Sequence, residues 1–197
     1  GHYPAGVIVE ILNEDGTMAR RDELIQIAKK FNLKIITIKD LIKYRLENES
    51  LVEEVTDVNM PTSFGMFNLK VFNQIDNNNT HLALYKGNWN KNDEVLVRVH
   101  SSCVTGDIFS SLRCDCGDQL KESMKLIEKN KKGTVLYMNQ EGRGIGLVNK
   151  LKAYHLQEQG FDTVEANEKL GFKADARDYG IGAQILRKMN IKLINLI

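Results

Sequence analysis

The spacing of apolar and polar positions changes character along this chain. In the first 45 residues it alternates between short β-like runs and helical ones. Val7-Ile8-Val9-Glu10-Ile11-Leu12 predicts a buried strand, ended by the turn signal Asn13-Glu14-Asp15-Gly16. A helix is expected from near Asp22, carrying Leu24, Ile25, Ile27, Ala28 and Phe31. Lys34 to Ile38 reads as a second strand and Asp40 to Arg45 as a second helix. The result is an α/β fragment with too little material to close a core alone. It reads as the tail of a larger domain, and something else is expected to cover its apolar face.

Residues 46–60 are acidic and weakly patterned up to Pro61, as expected of a linker or of a strand leading into the next domain. From Thr62 the chain turns β-rich, with strands expected over Phe64–Phe72, His81–Lys86 and Val95–His100 and a polar loop over Asp76–Thr80. Beyond Cys116 helix and strand alternate. Leu120, Met124 and Ile127 mark a helix stopped by Lys131-Lys132-Gly133, and Thr134–Met138 a strand. Leu147, Val148, Leu151, Tyr154 and His155 share one face of a helix ending at Gly160. A capping box pairs Asp162 with Glu165, Ile181, Ile185 and Met189 mark a last helix, and Ile191–Ile197 a last strand. The chain has no internal repeats and no low-complexity tract.

A chain of 197 residues with 42% hydrophobic content can bury one good core, or one and a part. Its 27 basic and 26 acidic residues leave a net charge of +1, which argues against a general nucleic-acid or membrane-surface partner. No apolar run reaches membrane-spanning length, and Gly1-His2-Tyr3-Pro4 has no leader-like pattern, so a soluble, cytoplasmic protein is expected. Three cysteines (Cys103, Cys114, Cys116) fall within 14 residues. An odd, close-set group in such a chain points to metal binding or catalysis rather than to a disulfide framework.

Three segments can carry chemistry. In Arg98-Val-His-Ser-Ser-Cys103-Val-Thr-Gly-Asp through Arg113-Cys114-Asp-Cys116-Gly, zinc would favour the thiolates, and three protein ligands with a fourth position left to water mark a catalytic site. Buried free cysteines, or a structural zinc with His100 as fourth ligand, are the competing readings. In Gln140-Glu-Gly-Arg-Gly-Ile-Gly-Leu147, glycines at alternate positions before a helix allow close approach of a phosphate, with Arg143 to fork onto it and Glu141 to accept from a base or ribose. An ordinary strand-to-helix connection explains that segment alone equally well. Asp175-Ala-Arg177-Asp178, read alone, is a solvated helix cap.

Taken together and in order, Arg-Val-His-Ser-x-Cys-x-Thr-Gly-Asp, Arg-Cys-Asp-Cys-Gly-x-Gln-Leu, Gln-Glu-Gly-Arg-Gly-Ile-Gly-Leu and Gly-Phe-x-Ala-Asp-x-Arg-Asp resemble the signature of GTP cyclohydrolase II, from roughly Pro61 to Ile197. The resemblance implies an α+β domain with a mixed sheet and one Zn²⁺ per chain on Cys103, Cys114 and Cys116. It implies GTP contacts from Arg98, Val99, His100, Ser101, Ser102, Gln119, Glu141, Gly142, Arg143 and Thr163. Asp175 would be the proton acceptor, Arg177 the residue proposed to attack the α-phosphate, and Tyr154 an active-site tyrosine. The implied reaction converts GTP to formate, pyrophosphate and a diaminopyrimidinone ribosyl phosphate, with Mg²⁺ on the triphosphate. Ser102 stands where many members have glutamate, and Asn139 where many have arginine. A Thr-Asn-Asn-Pro-Lys-like segment that binds GTP in the family would follow Ile197, so the nucleotide pocket is expected to be incomplete in this span.

Pro4-Ala-Gly-Val-Ile-Val-Glu10 and Asp15-Gly-Thr-Met-Ala-Arg20 resemble the C-terminal part of 3,4-dihydroxy-2-butanone 4-phosphate synthase, a lyase often fused ahead of GTP cyclohydrolase II. Glu10 matches its essential glutamate. The acidic metal loop and Gly-His-Thr-Glu stretch of that family are absent from this span, so synthase activity is not expected of it. The organisation expected is residues 1–48 as a synthase fragment, 49–60 as a linker and 61–197 as the cyclohydrolase-like domain, with a homodimer as the assembly. Two other classes stay open: a zinc- and nucleotide-binding regulatory module without turnover, and a thiol redox protein using Cys114 and Cys116.

Overall fold

The computed structural model describes residues 3–173 and 175–197. The chain forms two compact units, Gly1–Glu47 and Asn48–Ile197.

In the first unit, α1 spans Arg21–Lys30 and α2 spans Ile38–Asn48. The backbone N–H of Arg20 donates to Glu23 at 2.6 Å, which sets where α1 begins. Thr37 accepts from the N–H of Asp40 at 3.1 Å, so Ile38, expected to end a strand, instead opens a helix. The two strands expected here do not form. Leu12 makes one isolated bridge to Met18, while Val7 and Ile8 are 94% and 101% exposed. A strand is stabilised by its neighbours, and among the described residues of this unit there is no sheet to join.

The second unit is built on a six-stranded mixed sheet: β1 (Val52–Thr62), β2 (Gly65–Gln74), β3 (Thr80–Lys86), β4 (Glu94–Ser101), β5 (Gly133–Met138) and β6 (Leu193–Leu196). Their order is β1-β2-β3-β5-β4-β6. The first four in that order pair antiparallel, and β4 runs parallel to both β5 and β6. This is the α+β, mixed-sheet class expected. Residues 49–60, expected as a linker, are instead strand from Val52 onward, because a tight hairpin at Ser63–Phe64 lays them along β2. Pro61 is accommodated because β1 is an edge strand with an unpaired side.

Period-two alternation sends side chains to both faces of the sheet. Phe72, Val97, Leu136 and Met138 pack on one face against Ile181 and Ile185 of α6 (Tyr179–Lys188). Phe67 and Val135 pack on the other against Met124 and Ile127 of α3 (Cys116–Asn130). Burying each large side chain contributes about 1.5–3 kcal/mol. The helix α4 spans Leu147–Glu158 and α5 spans Thr163–Lys169. Most of the face expected to be apolar on α4 is turned out: Val148 and Leu151 are 66% and 47% exposed, Tyr154 at its edge turns in, and Ala153 is the buried contact. The small Ala153 lets the helix approach closely with its polar side, which carries Lys150 and Tyr154.

Because β4 and β5 are parallel, their carboxyl ends lie together. The connection after Ser101 and the connection after Met138 therefore meet at one edge, where open α/β sheets generally bind ligands.

Candidate active site

Along β4, Val97 and Val99 belong to the α6 side, which leaves Arg98 and His100 to the side of α3. His100 pairs in register with Tyr137 of β5, and their rings stack at 5.5 Å. Beyond Ser101, Cys103 leads a single π turn, Val104–Ile108, and its Sγ accepts from the N–H of Gly106 at 3.4 Å. Asp107 folds back beneath this turn. One carboxylate oxygen lies 3.0 Å from His100 Nε2, and the other accepts from the Cys103 N–H at 3.0 Å and the Tyr137 hydroxyl at 2.8 Å. Cys116 then opens α3 after a turn at Asp115.

The three cysteine sulfurs lie within 4.8 Å of one another, with Cys103 and Cys114 3.5 Å apart. The backbone is shaped around them. A Cβ on Gly106 would fall 2.9 Å from Cys114 Sγ, and one on Gly117 only 2.3 Å from the Gly106 carbonyl. Burial raises the Cys116 thiol, and Cys103 and Cys114 raise it further, to about 12. Burial also opposes ionisation of Cys103, but donors from Lys150, Thr105 and the Gly106 N–H outweigh it and hold this thiol below its usual range. Three soft donors set this close together fit a divalent, thiophilic cation such as zinc. The cluster includes no histidine among the described residues, and His100 turns Nε2 to Asp107 instead. That arrangement disfavours His100 as a fourth ligand.

The sulfurs open onto a cavity of about 380 Å³, within the range of roughly 300–1,000 Å³ typical of small-molecule sites. Of the residues singled out from the sequence, Arg98, Val99, His100, Ser101, Ser102, Cys103, Cys114, Cys116, Gln119, Gly142, Arg143, Tyr154, Thr163 and Arg177 line it. Arg98 is held by Gln119 and by the Ile197 carbonyl. Arg98 Nε, His100 Nδ1 and Ser102 Oγ are buried without a hydrogen-bond partner. Three such atoms on one wall are an uncommon expense of stability, and they point to a polar ligand.

The glycine-rich turn Glu141–Gly144 has left-handed backbone at Gly142 (φ 64) and Arg143 (φ 60). For Arg143 this costs about 1 kcal/mol or more, and it sets this residue on the cavity wall. Glu141, expected to accept from a base or ribose, is otherwise engaged. Its carboxylate accepts from the N–H of Val104 at 2.7 Å and from Lys150 Nζ at 2.7 Å, and it is not on the cavity wall. The Arg143 carbonyl accepts from the N–H of Ala176 at 3.1 Å, and a Cβ on Gly144 would lie 2.6 Å from the Ala176 carbonyl. This contact presents Arg177 to the cavity. Asp175 lies behind Arg177 and is gripped by it. Arg177, the largest influence, holds the Asp175 carboxyl well below the usual carboxylate range, and Asp175 in turn raises Arg177. Asn139 lies off this cavity, with its N–H on His81 Nδ1 at 3.1 Å. Glu10 belongs to the first unit and is exposed.

Sequence reasoning missed Lys150, Asp107, Arg113, Gln157 and Asn167. Lys150 sits four residues before Tyr154, on the same helix face, and that spacing was its only signal. Arg113 stacks over the Tyr154 ring at 5.0 Å, and Gln157 donates to Thr163 at 3.1 Å.

A mixed sheet whose parallel strands end in a three-cysteine cluster that could hold a metal, beside a glycine-rich turn and converging arginines, defines an α+β domain with a candidate metal site. Residues 53–197 match the family model of GTP cyclohydrolase II, and the chain belongs to that family. Residues 1–44 match 3,4-dihydroxy-2-butanone 4-phosphate synthase. The riboflavin biosynthesis protein RibBA of Cytophaga hutchinsonii is 65% identical over all 197 residues, and that of Porphyromonas gingivalis 59%. The chain spans about half the length of these relatives (49% of each). A solved structure, RibBX, a two-domain 3,4-dihydroxy-2-butanone 4-phosphate synthase from A. baumannii, is 30% identical with a TM-score of 0.53, over 95% of this chain and 46% of that one.

Proposed function

We propose that the cyclohydrolase unit hydrolyses GTP to formate, pyrophosphate and 2,5-diamino-6-ribosylamino-4(3H)-pyrimidinone 5′-phosphate, a step of riboflavin biosynthesis, with one zinc per chain. The observation that carries this reading is that three cysteine sulfurs and the side chains of Arg98, Arg143 and Arg177 converge on one cavity. Zinc on Cys103, Cys114 and Cys116 would supply an activated water for attack at C8 of the guanine. The wall from Arg98 to Ser102, with Gln119 and Thr163, would bind the nucleotide, and the unpartnered atoms of Arg98, His100 and Ser102 would find partners on it. Arg143 and Arg177 would neutralise phosphate charge, with Mg²⁺ arriving on the triphosphate. Arg177 acts here as a charge stabiliser rather than a nucleophile, since Asp175 raises its already high pKa. Asp175 then orients Arg177 more than it accepts protons. Tyr154, 3.3 Å from the Thr105 hydroxyl, would brace the cysteine turn against the substrate. A cytoplasmic homodimer, with residues 1–48 as a synthase fragment lacking activity of its own, completes the proposal.

Formate release from GTP, measured with and without a zinc chelator, tests it. Absence of formate from a zinc-loaded sample would overturn it. A second reading is a zinc- and nucleotide-binding module without turnover; RibBX, a two-domain protein that this chain resembles, is named for the synthase activity. That reading expects bound zinc and nucleotide but no formate. A redox dithiol would instead be metal-free, so one equivalent of zinc per chain excludes it.

A further inference from the structure

The proposed chemistry leaves Lys150, a largely buried cation, without a role. Lys150 Nζ on α4 lies 3.0 Å from Cys103 Sγ and 2.7 Å from Glu141, and both side chains of that ion pair are only 11% exposed. The other oxygen of Glu141 accepts from the N–H of Val104, next to Cys103, while the first also accepts from the N–H of Gly142 at 3.2 Å. One ammonium therefore stands where the cysteine turn, the glycine-rich turn and α4 meet. Tyr154, one helical turn on, reaches Thr105, whose hydroxyl is 3.6 Å from Cys103 Sγ, so α4 braces that sulfur at two points.

Three thiolates carry one more negative charge than a divalent cation balances. A surplus buried charge is costly unless it is paired and hydrogen-bonded. We propose that Lys150 is a positioning residue for the metal: it donates to the Cys103 sulfur, offsets the surplus charge of the three-thiolate set, and through Glu141 locks the glycine-rich turn to the cysteine turn. The inference rests on the cysteine cluster being the metal site, as proposed above. An N–H donor withdraws electron density from a thiolate, which makes Cys103 a weaker donor and its metal more electrophilic.

Cobalt(II) substitution provides the test, because sulfur-to-cobalt charge-transfer bands report on the sulfur itself. Lys150→Met keeps most of the aliphatic stem and deletes the charge, whereas Lys150→Arg keeps the charge. The bands are expected to move to longer wavelength in Lys150→Met and back toward the wild-type position in Lys150→Arg. Metal affinity or turnover should fall about tenfold to a hundredfold in Lys150→Met. Unmoved bands at full cobalt occupancy would overturn the role of Lys150. If Lys150→Met does not fold or hold cobalt, Lys150→Gln, with its neutral donor, carries the same comparison with a smaller shift. A wild-type sample without charge-transfer bands would sink the metal site instead, so the two failures are distinguishable.

Discussion

The carboxylate of Asp175 grips the guanidinium of Arg177 with both oxygens. Nε lies 3.0 and 3.1 Å from the two, Nη2 lies 2.5 Å from Oδ2, and the Arg177 backbone N–H adds a bond of 3.0 Å. The Tyr179 hydroxyl donates to the same carboxylate at 3.1 Å. If this grip serves to aim Arg177, Asp175→Asn, which retains an acceptor oxygen, should keep markedly more GTP turnover than Asp175→Ala. Both variants should retain zinc. Equal loss in the two, about a hundredfold or more, would instead mark Asp175 as a proton acceptor.

Cys114→Ser should lose bound zinc and formate release together, because two sulfurs cannot close the cluster. Metal analysis beside the GTP assay checks this, and normal turnover from a zinc-free variant would refute the site.

At Gly117 the packing leaves no space for a methyl group, since its carbon would sit 2.3 Å from a backbone oxygen. Gly117→Ala should therefore destabilise the unit by about 1–3 kcal/mol and loosen the metal. Thermal unfolding with and without zinc reads both effects.

How far the site was legible in the sequence depended on distance along the chain. Three cysteines within 14 residues declare themselves, and so do the contiguous glycine-rich and Asp-x-Arg segments. Lys150 was not legible, since it meets Cys103 from 47 positions away and sits on a helix whose apolar count pointed the wrong face inward. Asp107 was in plain view within the cysteine motif. Its function, bonding to Cys103, His100 and Tyr137 together, exists only once β4 and β5 lie side by side. In the fold, long runs such as β2 and α3 were readable. Val7–Leu12 was not, because strand-like composition forms a ladder only where a partner strand exists.

His81 gives a pH signature. It is buried, with Nε2 3.1 Å from the Gln74 side-chain oxygen and Nδ1 accepting from the Asn139 N–H. Burial holds its pKa below the ordinary 6.5, and the Asp178 charge only partly counteracts this. The unfolded chain therefore binds this proton more readily than the folded one. The stability contributed is full above about pH 6.5 and is lost as pH falls below it. Unfolding midpoints measured from about pH 7 to about pH 5 should drop more steeply in the wild type than in His81→Gln. Parallel slopes would contradict this assignment.

The carboxylate of Glu141 is bonded to the residue after Cys103, to the glycine-rich turn and to α4 at once. A chimera that borrowed one of these three stretches from a distant relative would inherit a side chain without its counterparts. The three stretches therefore act as one interlocked unit, and a swap that preserves the site would have to carry all three together.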